Sequence, residues 1–170
     1  MNKIYTFCIL LLLSVSSLWA QVSNDNCYTA EVFPDLIPGI QTCIDGNNIN
    51  ALAEQPFTNQ ANCLNGGDMP SAAADVWYMV QAVGNIMEVD LNSSIDNVVL
   101  AFYEGECEGL IGRDCEISNN GVISTTFAPV APGAIYYIQV SSTNTTDFGS
   151  FELCINNYDI TTNYCINSQT

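Results

Sequence analysis

The 170 residues carry 18 acidic side chains against two basic ones and no histidine, for a net charge of −16 at neutral pH. Phosphate backbones and anionic lipid heads repel such a chain, so nucleic acid is a poor partner and membrane insertion is not expected. With no His and only Lys3 and Arg113 as cations, Ser-His and Cys-His pairs, Schiff bases and phosphoryl transfer lack their usual parts. No Gly-rich phosphate loop is present, and carboxylate pairs among so many acids arise by chance. The chain does not read as an enzyme.

Residues 1–20 open with Lys3, continue through an apolar run and close on Ala20. The apolar run is shorter than the roughly 20 residues a spanning helix needs, so it reads as a secretory signal cleaved after Ala20. The expected product is secreted or cell-surface, and Cys8 leaves with the signal. Cys27, Cys43, Cys63, Cys107, Cys115, Cys154 and Cys165 remain. An exported chain meets an oxidising compartment, so pairing is the default. Zinc is disfavoured because even Cys107 and Cys115 stand too far apart for a knuckle. The number is odd, and Cys165 is expected to stay free.

Residues 30–38 and 40–44 read as edge strands. Residues 47–74 form a long polar stretch, and a Cys43–Cys63 bridge would tie it down. From residue 75 the pattern is strand, turn, strand. Residues 75–80 are aromatic and β-branched. In residues 85–91, Met87, Val89 and Leu91 alternate with Glu88 and Asp90, the period of a sheet with one wet face. Residues 97–103 are nearly all apolar, as in a strand buried on both sides. Residues 122–127, 134–140 and 148–155 complete the series, the last with Phe151, Leu153 and Ile155 on one face. Gly, Asn, Asp and Ser mark the turns between them. Such spacing predicts an all-β fold, a sandwich or a jelly roll.

The order of several pieces carries a resemblance. Asn24-Asp25-Asn26-Cys27 comes first, then Asp75-Val76-Trp77-Tyr78 and the run 95–105, Ile-Asp-Asn-Val-Val-Leu-Ala-Phe-Tyr-Glu-Gly. Tyr136-Tyr137-Ile138-Gln139-Val140 and Gly149-Ser150-Phe151-Glu152-Leu153-Cys154 follow. Over about residues 24 to 156 the chain resembles the bacterial pre-peptidase C-terminal type of β-sandwich. It most resembles the cysteine-bearing version of exported, often type IX-secreted, multidomain surface proteins. The resemblance implies an all-β, jelly-roll-like antiparallel β-sandwich of about eight strands with disulfides, serving as a non-catalytic module for adhesion or binding, with a carbohydrate or matrix protein as ligand. A structural spacer repeat, or an accessory domain of a secreted protease or glycosidase, is the other reading. It also supports a Cys27–Cys154 bridge. Residues 21–158 are expected to form the domain. Residues 159–170, where Asn163-Tyr164-Cys165 echoes Asn26-Cys27, are expected to be a linker and the start of a second repeat in a longer chain.

Calcium is the one metal this composition suits. The densest acidic stretch is Glu104, Glu106, Glu108, Asp114 and Glu116, around an expected Cys107–Cys115 hairpin. A solvated loop tip, with Arg113 as counter-ion, is the plainer reading of that stretch and the preferred one. Trp77, Tyr78, Tyr103, Tyr136 and Tyr137 are of the type that stacks sugars, but within strands they are expected in the core.

Overall fold

The computed structural model describes residues 22–52, 74–144 and 146–160. The proposed signal, Cys63 and Cys165 lie outside the described residues. A short 3-10 turn, Cys27–Thr29, precedes nine strands. They are β1 (Glu31–Val32), β2 (Thr42–Asn47), β3 (Val76–Gln81), β4 (Ile86–Ser93) and β5 (Val98–Glu104). β6 (Ile111–Ser118), β7 (Val122–Phe127), β8 (Ile135–Ser142) and β9 (Ser150–Tyr158) follow. One sheet has the order β1-β3-β8-β5-β6 and the other β2-β9-β4-β7.

The pairings nest. β5 pairs with β6, β4 with β7, β3 with β8 and β2 with β9, all antiparallel. One long hairpin, folded at the β5–β6 turn and rolled so that its pairs alternate between the sheets, produces this order. That is the jelly roll. β1 is the addition to it, and its pairing with β3 is parallel.

Period-two patterning decides what the roll encloses. Met87, Val89 and Leu91 of β4 are buried, as are Phe151, Leu153 and Ile155 of β9. From the other sheet Val76, Tyr78, Val98, Leu100, Phe102, Ile138 and Val140 meet them. Phe102 stacks between Phe127, with centroids 4.1 Å apart, and Tyr136 at 5.0 Å, so one aromatic column joins the sheets. The rings of Tyr78 and Phe151 meet edge to face at 6.1 Å. Gly46 of β2 makes room for them, because a Cβ there would run into the Tyr78 hydroxyl and the Phe151 ring.

β5 is buried on both faces, as its composition predicts. Its outer side chains Val99, Ala101 and Tyr103 join Trp77, Tyr137, Leu110, Cys27, Cys107 and Cys115 in a second cluster on the outside of the five-stranded sheet. The five aromatics singled out from sequence are all buried.

Three expectations are corrected. Cys27 bonds to Cys107 and not to Cys154. Cys43 bonds to Cys154 and not to Cys63, because β2 lies against β9 and sets Cys43 directly opposite Cys154, with Cα atoms 4.0 Å apart. Cys115 is disulfide-bonded too, but Cys107 is already taken, so the Cys107–Cys115 hairpin does not exist. In its place stands β6, a strand the sequence reading passed over. The edge strands also differ from expectation: within residues 30–38 the strand is Glu31–Val32, with an isolated bridge from Ile37 to Ile40, and β2 runs on to Asn47.

Two outcomes follow. Leu100→Ala empties a fully buried site and is expected to cost about 2 to 5 kcal/mol in denaturant unfolding; a loss below about 0.5 kcal/mol, the surface range, contradicts its place in the core. Non-reducing peptide mapping should recover Cys27–Cys107 and Cys43–Cys154. Their sequence separations of 80 and 111 residues correspond to about 4 to 5 kcal/mol each in the chain-entropy account.

Candidate functional site

The two outward sheet faces differ. Outside the five-stranded sheet a buried polar chain runs among the apolar residues. Tyr103 Oη donates to Gln139 Oε1 at 2.8 Å, Gln139 Nε2 donates to Asp75 Oδ2, and Trp77 Nε1 donates to the same oxygen at 2.9 Å. The motif Asn24-Asp25-Asn26-Cys27 fastens the N-terminal segment onto this side. Asn24 exchanges backbone and side-chain bonds with Trp77, and Asp25 Oδ1 accepts from Leu52 N. Asn26 caps the 3-10 turn, and Cys27 closes the bridge to Cys107. This motif is a clasp.

The outer face of the four-stranded sheet is open and polar, and strand register sorts it into rows. Asp45, Glu152, Asn92 and Val122 form one row across β2, β9, β4 and β7. Cys43, Cys154, Asp90 and Ser124 form the next, and Asn156, Glu88 and Thr126 another. Two carboxylates are braced: Asp90 accepts from Ser124 Oγ at 2.6 Å and Gln41 Nε2 at 2.9 Å, and Glu88 accepts from Tyr158 Oη at 2.8 Å and Asn156 Nδ2 at 3.0 Å. Asp45 and Glu152 are exposed and directly opposed, a like-charge pairing that destabilises a sheet. Among the described residues the ion pair is Arg113–Glu104 at 3.1 Å, on the other sheet. Shallow hollows lie along this face, one lined by Asp45, Asn92, Ser94 and Glu152 and another by Asp90, Val122, Ser124 and Cys154.

The acids proposed for calcium do not come together as one set. Glu104 pairs with Arg113, the residue bulged out where the β5–β6 register shifts. Asp114 and Glu116 sit on β6 opposite Phe102 and Leu100, and Asp114 Oδ1 accepts from Cys115 N. Glu106 and Glu108 lie in the β5–β6 turn, where their charges act on Tyr137. Among the described residues the metal-ligating types that do converge, within 4.8 Å, are Cys43, Glu152 and Cys154. Both sulfurs there are spent in the disulfide. Sequence reasoning read the wet half of the β4 alternation, Glu88 and Asp90, but did not single that face out as a site.

No family model matches the chain, and no curated protein matches it. Among solved structures it is similar to a pre-peptidase C-terminal domain of a collagenase from Bacillus anthracis, at 17% identity and a TM-score of 0.43, covering 75% of this chain and 96% of that one. It is also similar to a mitogen from Yersinia pseudotuberculosis, at 10% identity and a TM-score of 0.45, covering 72% and 88%. Among the described residues no helix is long and apolar enough to cross a membrane. The disulfides fit an extracellular protein.

Three phenols titrate high. Burial raises Tyr78, with Glu31 adding to the effect against an opposing bond from Asn24. Burial and then Glu106 and Glu108 raise Tyr137; the hydrogen bond to Glu88, then burial, raises Tyr158. A folded-state value above the unfolded one favours the neutral phenol, so this stability is whole below about pH 10 and is lost as pH climbs further. Denaturant midpoints should fall above about pH 10, and Tyr78→Phe should flatten the fall. A wild-type curve that stays flat contradicts the burial of Tyr78.

Proposed function

We propose that the chain is a non-catalytic extracellular binding module whose ligand face is the outer face of the four-stranded sheet. The observation that carries this reading is the opposed pair Asp45 and Glu152 beside the braced carboxylates of Asp90 and Glu88. A sheet that needed only solubility gains nothing by setting two acids directly across from each other. Fixed carboxylates flanked by amides and hydroxyls suit a partner that donates hydrogen bonds and carries positive charge. A basic matrix protein fits better than an acidic glycan, which the net charge of −16 repels. A neutral glycan that binds through its hydroxyls is the second choice.

A spacer repeat in a longer surface protein is the other reading. The Cys43–Cys154 bridge between an early strand and the last one favours it.

The discriminating variant is Glu152→Lys. It turns a like-charge pair into an opposite one, and is expected to raise stability by about 0.2 to 1 kcal/mol. On an array of matrix proteins and glycans the wild type should bind a basic matrix protein, and the more stable variant should lose that binding. Equal binding by both, or no wild-type ligand at all, removes the binding reading and leaves the spacer.

A further inference from the structure

The free side of β3 ends in an unfinished ladder. Trp77 N donates to Asn24 O, and Phe33 N donates to Met79 O, so odd-numbered residues of β3 turn their backbone groups toward β1. Ala82 N donates to Ala134 O and Ala82 O accepts from Gly133 N, so even-numbered ones face β8. The same alternation turns the N–H and C=O of Gln81 to the β1 side. β1 has left by then. Its register with β3 stops at Val32 opposite Met79, and among the described residues the last backbone bond between them is Phe33 N to Met79 O. Among the described residues no backbone partner reaches Gln81 on that side.

The gap left behind is a cleft of about 380 Å³ lined by Val32, Phe33, Leu36, Met79, Val83 and Ile135, with Gln81, Pro34 and Asp35 on its walls. Its rim is apolar and wet: Val32 is 66% exposed and Ile135 45%. Exposed Glu31 and Asp35 flank it with negative charge.

We propose that this cleft is a strand-addition site for an extended peptide of alternating apolar and basic side chains, supplied by a partner protein. The peptide backbone completes the ladder at Gln81. Its apolar side chains fill the cleft, and its cations face Glu31 and Asp35. This site is on the opposite sheet from the proposed ligand face and stands independently of it.

The test is fluorescence anisotropy with a labelled Lys-Val-Lys-Val-Lys-Val peptide on the full chain at about 0.15 M salt, where loose charge attraction is screened. Saturable binding is expected. It should weaken about tenfold when alternate peptide amides are N-methylated, and equally in Gln81→Pro, which removes the β3 donor on the cleft side but none in the β3–β8 ladder. If Gln81→Pro does not fold, Ile135→Lys at the exposed rim serves in its place and should weaken binding by a similar factor. No saturable binding overturns the proposal. So does binding that ignores both N-methylation and the cleft variant, or that disappears only in Glu152→Lys. A dimer in sedimentation that Gln81→Pro dissolves overturns it in favour of a second copy as occupant.

Discussion

The five-stranded sheet is apolar on both faces, and most of the architecture answers to that. One face closes onto the four-stranded sheet through Phe102, Leu100, Ile138 and their partners. The other, with Trp77, Val99, Ala101 and Tyr103, cannot be left to water either. The N-terminal segment is therefore drawn across it and held by the Asn24–Trp77 bonds and by Cys27–Cys107. The indole N–H of Trp77 and the phenol of Tyr103 must still be satisfied there, and Asp75 and Gln139 supply the acceptors. The same demand assigns roles by elimination. A sheet sealed on both sides has only its edges to offer a partner, while the four-stranded sheet keeps a whole face wet.

Much of this could be read before any coordinates. β4 and β9 showed their period of two in Met87-Val89-Leu91 and Phe151-Leu153-Ile155, because each has one dry face. β5 showed its double burial as an unbroken apolar run. β6 did not announce itself. As an edge strand it carries Gly112, Arg113, Asp114 and Glu116, and a bulge at Arg113 breaks its alternation. Edge strands are protected by such residues, so the features that keep β6 from pairing with other molecules also hide it from pattern reading. β1 is too short for periodicity to register.

The bridges were illegible for a different reason. Cys43 and Cys154 are opposite only because the nested hairpin brings its outermost strands together, and no spacing rule encodes that register. Assigning Cys27 to Cys154 mistook two ends of the chain for neighbours in space. The polar face was hidden likewise: its rows draw residues from four strands, and each strand contributes every second side chain. Only the β4 share, Glu88, Asp90 and Asn92, forms a visible pattern along the chain.

The position of Cys43–Cys154 has a mechanical meaning. Tension applied through the two chain ends enters before β2 and leaves after β9, and these strands are joined by a covalent bond. The force path therefore jumps from Cys43 to Cys154, and the strands β3 to β8 between them are loaded through Cys107, which the bridge to Cys27 ties to the N-terminal segment. A pulled chain can lengthen only by surrendering the short stretches outside the Cys43–Cys154 bridge, β1 among them, while Cys27 stays fastened to Cys107. The clamped pair β2 and β9, and the polar face built on it, keeps its register under load until a reductant reaches the half of the bridge that Cys43 exposes to solvent.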